Sequence, residues 1–158
     1  MLRIARRFVC VLAALPLLSA VAAPLPGVEN QQRAQVNYML NCQGCHGARG
    51  EGSIAADVPV MTDFVGRFLH VEGGRSFLVQ VPGSANSALS DAHLAEVLNW
   101  MLPNISPAEM PADFEPYTAA EVGALRKNPL VDVISVRVRL VNLLDQTPAD
   151  SNFRKPNR

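Results

Sequence analysis

Cys42, Cys45 and His46 lie in the run NCQGCHG, residues 41–47, as two thiols three positions apart with an imidazole directly after the second. Those residue types at that spacing can do four kinds of chemistry. The thiols can cycle between dithiol and disulfide; they can close a short structural disulfide; with a further donor the three side chains can hold zinc; or each thiol can add across one vinyl group of a single porphyrin while the imidazole binds its metal. A redox dithiol of the thioredoxin kind needs a strand–helix–strand setting, and here the segment before the pair reads as helix. A plain disulfide gives His46 no task. A structural zinc site needs four ligands, and outside the run only His70 and His93 remain to complete one.

The porphyrin reading employs all three side chains, and C-x-x-C-H is the attachment sequence for c-type haem. Cys42 and Cys45 are then the thioether cysteines of one covalently held haem c, and His46 is the proximal iron ligand through a ring nitrogen. Thiols one helical turn apart can each reach one of two vinyl groups on neighbouring pyrroles. Gly44 keeps bulk off that turn, and Gly47 lets the backbone swing away after the ligand.

Attachment of this kind takes place outside the bacterial cytoplasm, and the N-terminus agrees with export. MLRIARRFVCVLAALPLLSAVAAP carries Arg3, Arg6 and Arg7, then an apolar stretch from Phe8 to Leu18, then Ala20-Val21-Ala22, the layout of a cleavable secretory signal. The apolar stretch falls short of the ~20 residues that span a bilayer. Residues 1–22 are therefore expected to be removed near Ala22, giving a periplasmic product with no membrane span. Cleavage also removes Cys10, which leaves Cys42 and Cys45 alone and excludes a disulfide framework. The balance of 14 basic and 14 acidic residues becomes a small acidic excess, which offers nothing to nucleic acid.

The elements that must position the run are read from apolar spacing and caps. After a linker at 23–29, Asn30 caps a helix running to Leu40 with Val36, Met39 and Leu40 on one face. Residues 47–59 are glycine-rich and form a loop. Residues 62–70 read as helix, with Phe64, Val65, Phe68 and Leu69 on one side, and Gly73-Gly74 breaks the chain. SFLVQVP, residues 76–82, fits a helical turn and a strand equally. The strongest helix is capped by Ser90, carries Leu94, Val97, Leu98, Met101 and Leu102 at helical spacing, and is closed by Pro103. Thr118 caps another, which Pro129 ends. Residues 130–144 place Leu130, Val133, Ile134, Val141 and Leu144 at helical spacing against a β-branched composition. The expected fold is all-α: a small helical bundle around the haem at 30–102, a mainly helical C-terminal extension at 103–146, and a disordered tail at 147–158.

In order, these features are a helix, the CxxCH run, a glycine-rich loop, a proline about a dozen residues on, short helices and a helix with a late aromatic residue. Over residues 30–102 the chain thereby resembles a class I c-type cytochrome. The resemblance implies that the Pro59 carbonyl accepts the imidazole proton of His46, orienting the ring and strengthening it as a donor. It further implies that Met61 packs on the haem, and that Trp100 is the aromatic of the final helix, packed near the haem and against the N-terminal helix. The family takes its distal ligand from a methionine in the loop before the last helix; that loop here is VPGSANSALS, residues 81–90, and contains none. Stand-ins are His70, which lies far enough past His46 to reach the other haem face, then Met110 in the run MPADF, then Met101; Met61 stays on the packing side. A distal position with no protein ligand is the remaining alternative.

What the resemblance implies about function is an electron-transfer protein rather than an enzyme. It carries single electrons between a periplasmic dehydrogenase, or another redox enzyme, and an acceptor, the cofactor supplying the chemistry. Two alternatives stand beside it. One is a haem enzyme or a gas- or peroxide-binding protein with an open distal site. The other is a haem-bearing subunit of a dehydrogenase complex, with Arg137 and Arg139 among Val136, Val138 and Leu140 facing the partner.

Overall fold

The computed structural model describes residues 24–146; the expected signal sequence at 1–22 and the tail expected to be disordered at 147–158 lie outside the described residues. The chain is all-α, as expected, and among the described residues strand pairing is limited to one isolated bridge between Ser53 and Val58. Helix α1 (Gln31–Asn41) leads through Cys42 into the single turn α2 (Gln43–His46). Short 3-10 helices at Ile54–Ala56 and Val65–His70 follow, then α3 (Gly74–Gln80), α4 (Pro82–Ala85) and α5 (Asp91–Ile105). A 3-10 turn at Pro107–Glu109, α6 (Ala119–Leu125) and α7 (Val133–Gln146) complete the order. No described helix is long and apolar enough to cross a membrane.

Helix α5 is the hub. Its apolar stripe of Leu94, Val97, Leu98 and Leu102 is buried, which is what fixes a helix of moderate intrinsic propensity in place. Ser90 Oγ accepts from the His93 amide at its start, just as Asn30 and Thr118 cap α1 and α6 through the amides of Arg33 and Glu121. Across the interface with α1, Glu96 is only 4% exposed and accepts from Arg33 Nε at 2.8 Å, Arg33 Nη2 at 2.9 Å and the Asn30 amide at 2.8 Å. On the other side Asn99 holds the connector to α6, accepting from the Tyr117 amide at 2.7 Å and donating to the Tyr117 carbonyl at 3.0 Å.

Burial opposes ionisation of Glu96, but the Arg33 guanidinium and the Asn30 amide outweigh it and hold the carboxyl below its ordinary range. A depressed carboxyl contributes stability that is present above the unfolded pKa and is lost as pH falls through the folded one. Glu96→Gln should therefore lower stability by about 2 kcal/mol at neutral pH, the scale of a charge-assisted hydrogen bond, and flatten the acid side of the stability profile. Denaturant unfolding at pH 7 and at about pH 3.5, below the unfolded carboxylate range, checks both: the gap between wild type and variant narrows at the lower pH.

Several elements differ from the reading of the sequence. The stretch 62–70 is helical only from Val65, and as a 3-10 helix, because Asp63 has φ 52° and Phe64 departs from helical geometry, so regular hydrogen bonding starts late. Gly73-Gly74 begins a helix instead of breaking one: Gly73 caps α3 at φ 83°, and a Cβ on Gly74 would strike the Phe68 carbonyl. The ambiguous segment after them is helix through Gln80. Pro103 lies inside α5, which continues to Ile105. A proline removes one backbone donor, and here the burial of Ile105 and the bond from the Ser106 amide to the Leu102 carbonyl at 2.9 Å carry the helix past it. In α7 the buried face is Leu140 and Leu144, flanked by Val133, Val136 and Val141, whereas Ile134 is exposed. The helix packs back on its own domain, with the Arg137 guanidinium 5.7 Å from the Phe64 ring centre.

Candidate functional site

Helix α1 delivers the motif. The Cys42 amide donates to the Tyr38 carbonyl at 2.8 Å, ending α1, and the Cys42 carbonyl then accepts from the amides of Cys45 at 3.2 Å and His46 at 3.0 Å. One turn of backbone thus carries both thiols and the imidazole. Cys42 is half-buried, Cys45 is exposed, and neither is in a disulfide. A Cβ on Gly44 between them would meet nothing within 4 Å, so the turn presents open space.

Burial keeps Cys42 and His46 uncharged. It pushes the Cys42 thiol up to about 11, with Cys45 beside it adding to the effect, so Cys42 is a protonated thiol at neutral pH. Burial also lowers the pKa of His46, which leaves a ring nitrogen with a free lone pair, the form that binds a metal. Among the described residues no three His, Cys, Asp or Glu side chains are grouped as a metal ion would require; the run is not a cage that closes around a cation by itself.

Below the turn the glycine-rich loop folds against the motif. The Tyr38 hydroxyl donates to the Gly47 carbonyl at 2.8 Å, and the Arg49 amide donates to Glu51 Oε2 at 2.8 Å. The Gly52 amide donates to the His46 carbonyl at 2.9 Å, and the amides of Met61 and Thr62 both donate to the Gly50 carbonyl. Gly52 has φ 68°, and a Cβ there would lie 2.5 Å from the Val58 carbonyl oxygen and 2.8 Å from that of Pro59. The backbone of Pro59 is therefore pressed against the part of the loop that holds His46. The bond expected from the imidazole to the Pro59 carbonyl is not made here. His46 Nδ1 is buried with no hydrogen-bond partner, and the Ser53–Val58 pairing sets where Pro59 sits.

The residues read from the sequence fall into two groups. Cys42, Cys45, His46, Pro59 and Met61 are drawn together by the loop, with the Met61 side chain against the Gly50 position. Trp100 joins from α5, half-buried, its ring 5.7 Å from that of Tyr38. His70 and Met110 belong to a different contact. His70 Nε2 lies 2.9 Å from the Glu109 carbonyl oxygen, where the two 3-10 helices Val65–His70 and Pro107–Glu109 meet, and Met110 follows directly and is half-buried. Met101 is buried in the stripe of α5. Tyr38 is the site residue the sequence reading passed over, although its place four residues before Cys42 puts it on the helix face from which the motif departs.

A haem bound by two thioethers and one imidazole fits this donor set. The thiols are one turn apart and that of Cys42 is protonated, the imidazole is neutral, and the turn at Gly44 is unobstructed.

The chain is similar to a protein from Thermus thermophilus named cytochrome c-552, 29% identical over 136 residues, covering 73% of this chain and 91% of that one. It is also similar to a second cytochrome c-552 of the same species, 31% identical over 119 residues, covering 63% of this chain and 90% of its relative. Residues 30–102 make up less than half of the chain, so the likeness extends beyond the region in which the sequence alone suggested it. No family model and no solved structure matches the chain.

Proposed function

Given that the chain belongs to the c-type cytochromes and serves electron transfer, we propose that it is a single-haem carrier, exported to the periplasm, that passes electrons one at a time from a redox enzyme such as a dehydrogenase to an acceptor. Bound haem supplies the one-electron chemistry. Cys42 and Cys45 tether it by thioether bonds, so that a diffusing shuttle does not lose its cofactor. His46 offers iron a neutral imidazole, and the loop closed by the Gly52 and Tyr38 hydrogen bonds fixes the backbone from which that ring projects. Met61 and Trp100, partly buried against the core, would supply apolar packing to the haem.

The observation that supports the proposal best is the single turn of backbone that carries Cys42, Cys45 and His46, with the imidazole uncharged. The packing of α7 onto Phe64 and the core favours a self-contained carrier over a subunit that uses this helix to clamp a partner. Voltammetry of the protein purified from the periplasmic fraction should give one reversible wave of one-electron slope, and stopped-flow mixing with a small redox protein should show exchange at about 10⁵ M⁻¹s⁻¹ or faster. A two-electron slope, or a protein recovered only from the cytoplasm, contradicts it.

A further inference from the structure

The segment between α3 and α5 is residues 81–90, the loop from which the family takes its second iron ligand, and it contains no methionine, histidine, cysteine or lysine. In a loop that ligates iron, the metal bond itself pins the backbone. This loop is pinned by something else. The Arg126 guanidinium, at the end of α6, donates from Nε to the Ala85 carbonyl at 3.0 Å, from Nη2 to the Ser87 carbonyl at 2.7 Å, and from Nη1 to the Leu89 carbonyl at 2.7 Å and Asp91 Oδ1 at 3.1 Å. Three alternate carbonyls thus converge on one planar cation whose side chain is only 16% exposed. Charge-assisted bonds of this number and shelter from water make a rigid anchor.

The same helix grips the other flank. Glu121 of α6 accepts from Arg75 of α3 at 2.6 and 2.8 Å, and the Arg75 guanidinium stacks over Tyr117 at 3.9 Å. Gly123 permits the approach, since a Cβ there would collide with the Asp91 carboxylate. Residues 74–91 are therefore held from both ends by α6, without recourse to the metal. Among the described residues, the distal candidates read from the sequence are engaged elsewhere: His70 on the Glu109 carbonyl, Met110 packed against the core, Met101 within it, and Met61 against the loop that carries His46.

We infer that Arg126 anchors the 81–90 loop in place of an iron–side-chain bond and leaves the sixth iron position to a small exogenous ligand of the diatomic class. This rests on the reading that His46 holds a haem iron. Arg126 is a positioning residue, acting on the iron's surroundings only through the loop.

The test uses the full-length holoprotein and carbon monoxide. A haem assay in alkaline pyridine comes first: absence of haem defeats the reading of the site and says nothing against the loop. With haem present, the reduced wild type should show a five-coordinate spectrum that converts on addition of carbon monoxide at micromolar concentration. Arg126→Gln should retain its haem, change the carbon monoxide association rate by about tenfold or more, and increase hydrogen exchange at the amides of 84–89, with Arg126→Lys partly restoring both. If the glutamine variant fails to fold, the lysine variant and the wild type decide, since wild-type exchange in 84–89 should be the same in the oxidised, reduced and carbon monoxide states. A reduced wild type that is six-coordinate and indifferent to carbon monoxide overturns the inference. So do carbon monoxide kinetics and loop exchange unchanged by both substitutions, or loop protection that follows the state of the iron.

Discussion

Gly52→Ala lowers stability by about 2–4 kcal/mol and releases the loop beneath His46. Two costs add. At φ 68° an alanine sits in the left-handed region, where a side chain costs about 1–3 kcal/mol, and its Cβ would approach the carbonyl oxygens of Val58 and Pro59 to 2.5 and 2.8 Å, which forces backbone to move. The neighbours cannot yield cheaply. Val58 is paired with Ser53 in both directions at 2.9 Å, and the Gly52 amide is the donor that holds the His46 carbonyl. Thermal unfolding of the holoprotein measures the loss. If, as proposed, His46 is the proximal ligand on the backbone that this loop holds, the reduction potential should also shift, whereas Glu96→Gln, at the interface of α1 and α5, should change stability and leave the potential in place. Equal potentials for wild type and Gly52→Ala would mean that the loop has no part in positioning His46.

His46→Gly has the larger effect on chemistry. On the proposed reading the thiols of Cys42 and Cys45 remain available for thioether formation, but the iron would lose the one ligand that the motif provides, and electron exchange should fall at least about tenfold, the lower end of what disturbing a metal site costs. The variant should be rescued by millimolar imidazole, which restores the wild-type absorption spectrum and much of the rate. Absorption spectra with and without added imidazole check this. A variant whose spectrum matches wild type without the additive would show that another residue serves as the proximal ligand.

Signals in the sequence are reliable where the physics is local. Asn30, Ser90 and Thr118 cap their helices because a short polar side chain needs only an amide three residues on, and the stripe of α5 follows from helical period alone. The CxxCH run is local in the same sense. What the sequence conceals depends on distant partners. Glu96 and Asn99 sit on a helix whose neighbouring residues are apolar, and nothing nearby says that Arg33 and Tyr117 will meet them. Arg126 reads as a solvated residue at a helix end, yet its four acceptors lie 35 to 41 residues away. The extension of α5 through Pro103 is hidden for a similar reason, since the burial of Ile105 that drives it is a tertiary effect. The 3-10 form of Val65–His70 turns on positive φ at Asp63, a conformation that apolar spacing does not encode.

The division matters for function. On the proposed reading, the attachment chemistry is written in five consecutive residues, 42–46, while the shape of the iron's surroundings would depend on α6 and its contacts with α3 and the 81–90 loop. That dependence gives the C-terminal extension a physical role inside the domain, with Glu121 and Arg126 as its points of grip.

The most direct measurement is the intact mass of the mature chain under denaturing conditions, alongside a peroxidase stain of the same sample on a denaturing gel. The account predicts a mass equal to the polypeptide beginning near Ala23 plus one haem, and a band that stains; replacing Cys42 and Cys45 together removes both. A mass equal to polypeptide alone, with an unstained band, contradicts it.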